Sequence, residues 1–389
     1  MREGWRLGRL GDLVAPDSVK VPVEPGESYP IVGVLGFGRG LLHRDPVVSS
    51  STSYKYLHRI KPGYLVYSKL KAFEGAITVA PANIGPVYAS PEFPTFSCTS
   101  ATTPAFVHLL TQQPQLWESM AGMSKGVGGR RERLDPKDLL LVPVVIPPLD
   151  EQRRVVDLIG ALDDAIEAAE ATQSRLTALT NPIRDVELWA TPERTCLSEL
   201  CDVDGSLVSP AGENARLPHV GAERIVSGTG ELVGVTTAAE DGVTSGKYRF
   251  GPQHVVYSKI RPNLRKVAMP DFDGLCSADA YPLLPATDVP RRYLQQLLLS
   301  RPFTEAATSR SGRTKMPKIN RTELLSIPVP KTSAAAMRDL ASRLDAVEQG
   351  RLAAADCANA ARNLRSNLLT TLLSGEHEIP ASYDELLGS

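Results

Sequence analysis

A chain of 389 residues, 42% hydrophobic and 22% charged, has ordinary globular composition but exceeds the size one hydrophobic core normally supports, so two domains are the default. Its 43 Lys and Arg against 44 Asp and Glu leave a net charge of −1, which excludes a uniformly basic nucleic-acid coat but not local basic faces. No apolar run approaches a membrane span and no leader signature opens the chain; the five cysteines, an odd number without metal spacing, suit a reduced, cytoplasmic setting.

Residues 1–149 are expected to form a first, strand-rich domain. Short β-prone pieces, Tyr29–Val34, Tyr64–Tyr67 and Ala76–Val79, are separated by Gly, Pro and Ser. Phe106, Leu109, Leu110, Leu116 and Trp117 recur at roughly helical spacing and predict one helix near Phe106–Met120, with Pro114 inside it. Pro147-Pro148 closes the domain.

The next segment, 150–185, opens with Asp150-Glu151, favourable charges for a helix N-terminus. Val155, Ile159, Leu162, Ile166, Ala169, Gln173, Leu176, Thr180 and Ile183 alternate steps of four and three, a heptad seam narrow enough for one partner helix. Residues 186–332 should form a second domain, and 333–375 a second long helix from about Ala334 to Leu373. Leu340, Leu344 and Val347 open its seam and Leu364 and Leu368 resume it, with a half-alanine stretch at 351–362 between. Gly375 marks the helix end, and a tail at 376–389 is expected to be loosely ordered. The simplest arrangement pairs the two seams with each other in antiparallel fashion. At about 1.5 Å per residue, thirty residues would span roughly 45 Å, slightly more than one turn of duplex DNA at about 34–36 Å.

The two domains share sequence. Val66-Tyr67-Ser68-Lys69-Leu70 returns 190 residues later as Val256-Tyr257-Ser258-Lys259-Ile260. A strand ending in Ser-Lys could set a hydroxyl and an ammonium against phosphate oxygens, so Ser68, Lys69, Ser258 and Lys259 are candidate DNA contacts. Lys71 extends the first copy; Arg261, Arg265 and Lys266 extend the second. At an offset of 185, Lys125, Arg130 and Arg133 align with Arg310, Lys315 and Lys318 in glycine-containing basic loops that also hold Arg131 and Arg313. Glycine lets backbone and guanidinium groups approach a nucleic acid closely. The bland alternative for each position is a solvated charge; the repetition favours binding for the cluster.

Enzymatic signatures fail. Gly36–Gly40 lacks the helix and ribose-binding acid of a cofactor loop. Gly242–Tyr248 is one residue short of a phosphate loop and has Tyr where Ser or Thr must bind magnesium. Ser68 and Ser258 have no identifiable His or Asp partners. A stand-alone DNA-modifying enzyme and a protein-interaction scaffold remain the other function classes.

Several of these stretches resemble the specificity subunits of type I restriction–modification systems. The resemblance is carried by Lys61–Ala76 (KPGYLVYSKLKAFEGA), Tyr257–Lys266 (YSKIRPNLRK), Ile146–Gln152 (IPPLDEQ), Leu364–Leu369 (LRSNLL) and Leu373–Glu376 (LSGE). It implies an α+β fold of two target recognition domains and two long helices forming an intramolecular antiparallel coiled coil with a pseudo-twofold repeat. It also implies a non-catalytic chain that reads a bipartite, asymmetric site on double-stranded DNA. The implied partners are two modification subunits, which bind S-adenosylmethionine and methylate adenine, and the restriction subunits. No cofactor is implied for this chain itself.

Overall fold

The computed structural model describes residues 4–124, 132–312, 316–375, 377, 379–380 and 382–383. The chain divides into two compact units, one of Met1–Glu167 with Ala358–Ser389 and one of Ala168–Cys357.

In the first unit the strands are β1 (Arg6–Arg9), β2 (Val14–Pro16), β3 (Val19–Pro22), β4 (Ser28–Val34), β5 (Leu41–Val48), β6 (Tyr56–Ile60), β7 (Leu65–Tyr67), β8 (Ile77–Val79), β9 (Val87–Ala89), β10 (Thr95–Cys98) and β11 (Pro143–Ile146). They form a β1–β11 pair, a four-stranded sheet β2-β10-β7-β8 and a five-stranded sheet β3-β6-β9-β4-β5. Short helices α1 (Leu10–Leu13), α2 (Pro104–Thr111), α3 (Pro114–Met123) and α4 (Pro136–Leu139) precede the long α5 (Leu149–Asp185).

The second unit repeats this strand for strand. Its strands are β12 (Arg194–Cys196), β13 (Cys201–Val203), β14 (Leu207–Val208), β15 (Pro218–Val220), β16 (Thr236–Thr237), β17 (Lys247–Phe250), β18 (Val255–Ser258), β19 (Val267–Ala268), β20 (Gly274–Cys276), β21 (Ala280–Pro285) and β22 (Pro328–Pro330). They pair as β12–β22, β13-β21-β18-β19 and β14-β17-β20-β15-β16. Even the parallel pair β4–β9 has its counterpart in β15–β20. Helices α6 (Arg291–Leu299), α7 (Arg301–Arg310), α8 (Arg321–Leu325) and α9 (Ala334–Ser374) complete the set. The fold is thus α+β with an internal repeat and two long helices, as expected from the sequence.

The single helix expected at Phe106–Met120 is two helices. Pro114 lacks an N–H and cannot continue α2, but its fixed φ suits the first position of α3, where no intrahelical donor is needed. Both helices bury their apolar side chains, Phe106, Leu109, Leu110, Leu116 and Met120 among them, against the first core.

The long helices pack antiparallel within each unit. In the first, Val155 of α5 lies with Leu372 of α9 in one cluster, while Asp163 is held by Arg365. Moving up one helix therefore means moving down the other. Val155, Ile159, Leu162, Leu368, Leu369, Leu372 and Leu373 share that core, and Ile159 is fully buried. In the second unit Leu176 lies beside Gly350, where an added Cβ would come within 3.1 Å of it, and Arg343 of α9 reaches Glu187 just past α5. Ile166 and Leu176 on α5 and Leu340 and Val347 on α9 are half-buried; Leu344 is buried. Leu364 corrects the expected seam: its side chain is 54% exposed. Through the alanine stretch the inward face continues by way of the buried Ala358 to Arg365, which shifts Leu364 outward by one position.

Parts of the C-terminal tail are anchored rather than loose. Ile379 is buried in the first core, and Tyr383 packs against it. Gly375, at φ +76, ends α9 in the left-handed conformation beside the ring of Trp5.

Candidate nucleic-acid interface

The repeated Tyr-Ser-Lys motif lies at the end of the third strand in the order of each four-stranded sheet, β7 in one unit and β18 in the other. Val66, Tyr67, Val256 and Tyr257 are buried there, and β7 and β18 are paired on both sides. Burial pushes both phenols far above their ordinary range. The motif's first residues therefore recur because they fill the core. Ser68 and Ser258 belong with them, at 4% and 3% exposure. This corrects the expectation that their hydroxyls reach phosphate: the strand ends under cover, and the Ser258 hydroxyl donates to the carbonyl of Ile260.

Lysine is where each strand emerges. The backbone N–H of Lys69 donates to the carbonyl of Glu92 (3.0 Å), and Leu134 donates its N–H to the Lys69 carbonyl (3.1 Å). In the second unit Lys259 donates to Asp279 (2.9 Å) and Ile319 to Lys259 (3.0 Å). The side chains repeat the pattern. Arg133 contacts both Glu92 oxygens, at 3.0 and 2.8 Å, with the Lys69 ammonium 4.0 Å from the same carboxylate. Lys318 donates to Asp279 at 2.8 Å, and the Lys259 ammonium lies over the ring of Tyr281, 5.0 Å from its centroid. Each unit thus clasps the residue after its basic loop to its strand end through one acid. The alignment of Arg133 with Lys318 made from sequence is reproduced in space.

Glu92 and Asp279 were not singled out from sequence. Their signal is Ser90-x-Glu92 against Ser277-x-Asp279 at an offset of 187. In both copies the serine hydroxyl accepts from the backbone N–H of the acid, and the serine carbonyl accepts from the next residue. This local turn aims the carboxylate.

The other candidates divide. Lys71 is exposed and pairs with Glu74 at 3.1 Å in a turn closed by Gly75, whose φ of +64 brings it flat against the ring of Trp117. Arg261 is exposed beside the second clasp, its N–H donating to the carbonyl of Pro317. It holds a φ of +48, and Arg265 one of +49. Lys266 turns inward and donates to the carbonyl of Ala222. The guanidinium of Arg265 lies against Gly228, lining a polar cavity with Arg184 of α5 and Arg351 of α9. Arg265 and Lys266 are therefore apart from the clasp, and the Lys266 ammonium serves an internal contact. Lys125, Arg130, Arg131, Arg313 and Lys315 lie outside the described residues.

Among the described residues no group of three or more His, Cys, Asp or Glu side chains is placed to hold a metal ion, and no described helix is long and apolar enough to cross a membrane.

Two homologous strand-rich heads, each followed by a long helix, with the helices paired antiparallel, define an internally repeated α+β architecture. Solved structures from type I restriction–modification systems match nearly the whole chain. The HsdS subunit of Thermoanaerobacter tengcongensis is 16% identical with a TM-score of 0.54, covering 97% of this chain and 98% of that one. The S subunit of the type I restriction–modification system of M. genitalium is 11% identical with a TM-score of 0.56, covering 97% of each. A chain from a structural study of complex assembly and conformational transition of the type I restriction–modification system is 17% identical with a TM-score of 0.56. In sequence, the chain is 37% identical over 147 residues to the Escherichia coli type I restriction enzyme EcoDI specificity subunit. That match spans 38% of this chain and about a third (32%) of the relative's length. No protein-family model matches. Over those 147 residues the chain is similar to a type I restriction specificity subunit, and over nearly its whole length it shares the fold of the solved ones.

Proposed function

We propose that this chain is the non-catalytic, DNA-reading subunit of a type I restriction–modification complex. One observation carries the reading: the clasp that holds Lys69 with Arg133 is rebuilt around Lys259 and Lys318. Two independent copies of one cation arrangement are what a chain needs to grip two separate stretches of duplex. The heads differ where they would read bases. The eight-residue β5 corresponds to the two-residue β16, for example, so the two half-sites differ and the target is bipartite and asymmetric. Phosphate contacts position such a protein; base-edge contacts specify the sequence.

In this reading the paired helices are the docking surface for two modification subunits, which supply S-adenosylmethionine and the methyl transfer to adenine. The restriction subunits join that assembly, and the complex works in the cytoplasm on double-stranded DNA. Methylation mapping of the source genome should reveal one split adenine motif. With the complex in hand, Lys69→Ala with Lys259→Ala should weaken duplex binding and reduce the magnitude of the log–log salt slope by about one per lost phosphate contact. Unchanged binding in the double variant, or methyl transfer by the purified chain without partners, would overturn the proposal.

A further inference from the structure

The acids at the two clasps stand where a protein that holds DNA has no evident need of them. Backbone bonds already fix the base of each loop: Leu134 N–H to the Lys69 carbonyl, Ile319 N–H to the Lys259 carbonyl. Yet in both units a carboxylate is aimed by a serine turn at the cation next to that bond. Glu92 meets Arg133 through both oxygens and has the Lys69 ammonium 4.0 Å away. Such a fork of oxygens between two cations has the form of a phosphate group's contacts. Asp279 meets Lys318 through one oxygen at 2.8 Å, while the Lys259 ammonium lies over the ring of Tyr281.

We infer that Glu92 and Asp279 are specificity-determining guard residues, carboxylates that occupy the phosphate-binding cations of each head until a DNA backbone replaces them. This rests on the DNA-reading function proposed above. The side chains of Arg133 and Lys318 are 45% and 48% exposed, so each pair is a surface ion pair, weak enough to be exchanged. A phosphate presented at random must displace the carboxylate for a small gain. A phosphate held in register by base contacts on the correct sequence displaces it readily. The guard therefore lowers affinity for arbitrary duplex more than affinity for the target, because discrimination is a difference between the two.

The test uses the assembled complex, its full-length specificity chain carrying Glu92→Gln and Asp279→Asn, singly and together. These amides remove the charge and keep one hydrogen-bond acceptor for the loop, the second oxygen becoming an N–H donor. Binding to a random-sequence duplex is followed by fluorescence anisotropy across a salt series, beside a duplex carrying the motif found by methylation mapping. Random-duplex affinity is expected to rise up to about five-fold per acid, the salt slope to steepen by up to about one per head, and the specific-to-random ratio to fall. Adding Arg133→Gln to Glu92→Gln should abolish that head's gain, which a merely structural acid would not produce. Random-duplex binding and slope equal to wild type, or weaker binding, would overturn the guard while leaving the DNA reading intact. A wild-type complex that binds neither duplex would remove the DNA reading itself.

Discussion

The hydroxyl of Tyr67 donates to the carbonyl of Leu134 at 2.7 Å, tying β7 to the residue that follows the clasping Arg133. Both residues are fully buried, so the bond lies in a low-dielectric setting and its loss strands a carbonyl. Burial raises the phenol far above its ordinary value, which keeps it a neutral donor wherever the protein is folded. Tyr67→Phe keeps the ring and removes the donor; it should cost about 1–2 kcal/mol of stability. Urea unfolding monitored by circular dichroism would show a lower midpoint with an unchanged slope.

The seam prediction contrasts two residues of similar size in the first unit. Ile159 is fully buried in the helix core, whereas Leu364 is 54% exposed. Truncating a buried Ile to Ala costs about 2–5 kcal/mol through lost transfer energy and the cavity left behind, while an exposed Leu leaves little behind. Ile159→Ala should depress the unfolding midpoint strongly; Leu364→Ala should stay within about 0.5 kcal/mol of wild type. Equal losses at both sites would show that Leu364 packs as the heptad pattern alone suggests.

That contrast also marks how far the sequence could be read. The first helix was legible because apolar residues mark every turn from Val155 to Ile166. The second loses its marks between Arg351 and Arg362, where alanine carries too little apolar contrast to fix the register, so the heptad pattern points Leu364 inward although Ala358 and Arg365 hold those places. Tyr-Ser-Lys was legible as a repeat, but repetition alone does not separate core from surface; only the strand pairing shows that Ser68 and Ser258 end under cover. Glu92 and Asp279 escaped because the offset drifts from 190 at the strand to 187 at the acid and 185 at the loop, so each short match is displaced by intervening insertions.

Acid sensitivity should centre on Asp241 in the second unit. Its carboxylate accepts from the Thr236 hydroxyl (2.6 Å) and from Arg224 (2.7 Å), and lies 2.8 Å from His219 Nδ1. Hydrogen bonding by Thr236, then by His219 and Arg224, holds its pKa well below the ordinary 3.8. A folded-state value depressed in this way contributes stability that is fully present above the unfolded value and is lost as pH falls from there toward the folded one. Stability should therefore be flat for this group near neutrality and decline below about pH 4. Asp241→Asn should lower the melting temperature at pH 7 and reduce the further loss between pH 5 and pH 3. A variant that tracks wild type at every pH would show that this network holds nothing in place.

Arg261 connects backbone strain to the proposed interface. Its φ of +48 is left-handed, at an exposed position beside the second clasp. A side chain in that region costs roughly 1–2 kcal/mol that glycine does not incur. Glycine in turn adds about 0.4–1 kcal/mol of unfolded-chain entropy, so Arg261→Gly should leave a net stabilisation of up to about 1.6 kcal/mol and raise the melting temperature by up to about 5 °C. Arg261→Ala keeps a Cβ and should leave the melting temperature unchanged. If the strain is retained because the guanidinium meets DNA, both variants should weaken duplex binding by the same factor although only one is more stable. Binding that follows melting temperature, or that neither variant alters, would place Arg261 outside the interface and leave its backbone conformation a product of the Pro317 contact alone.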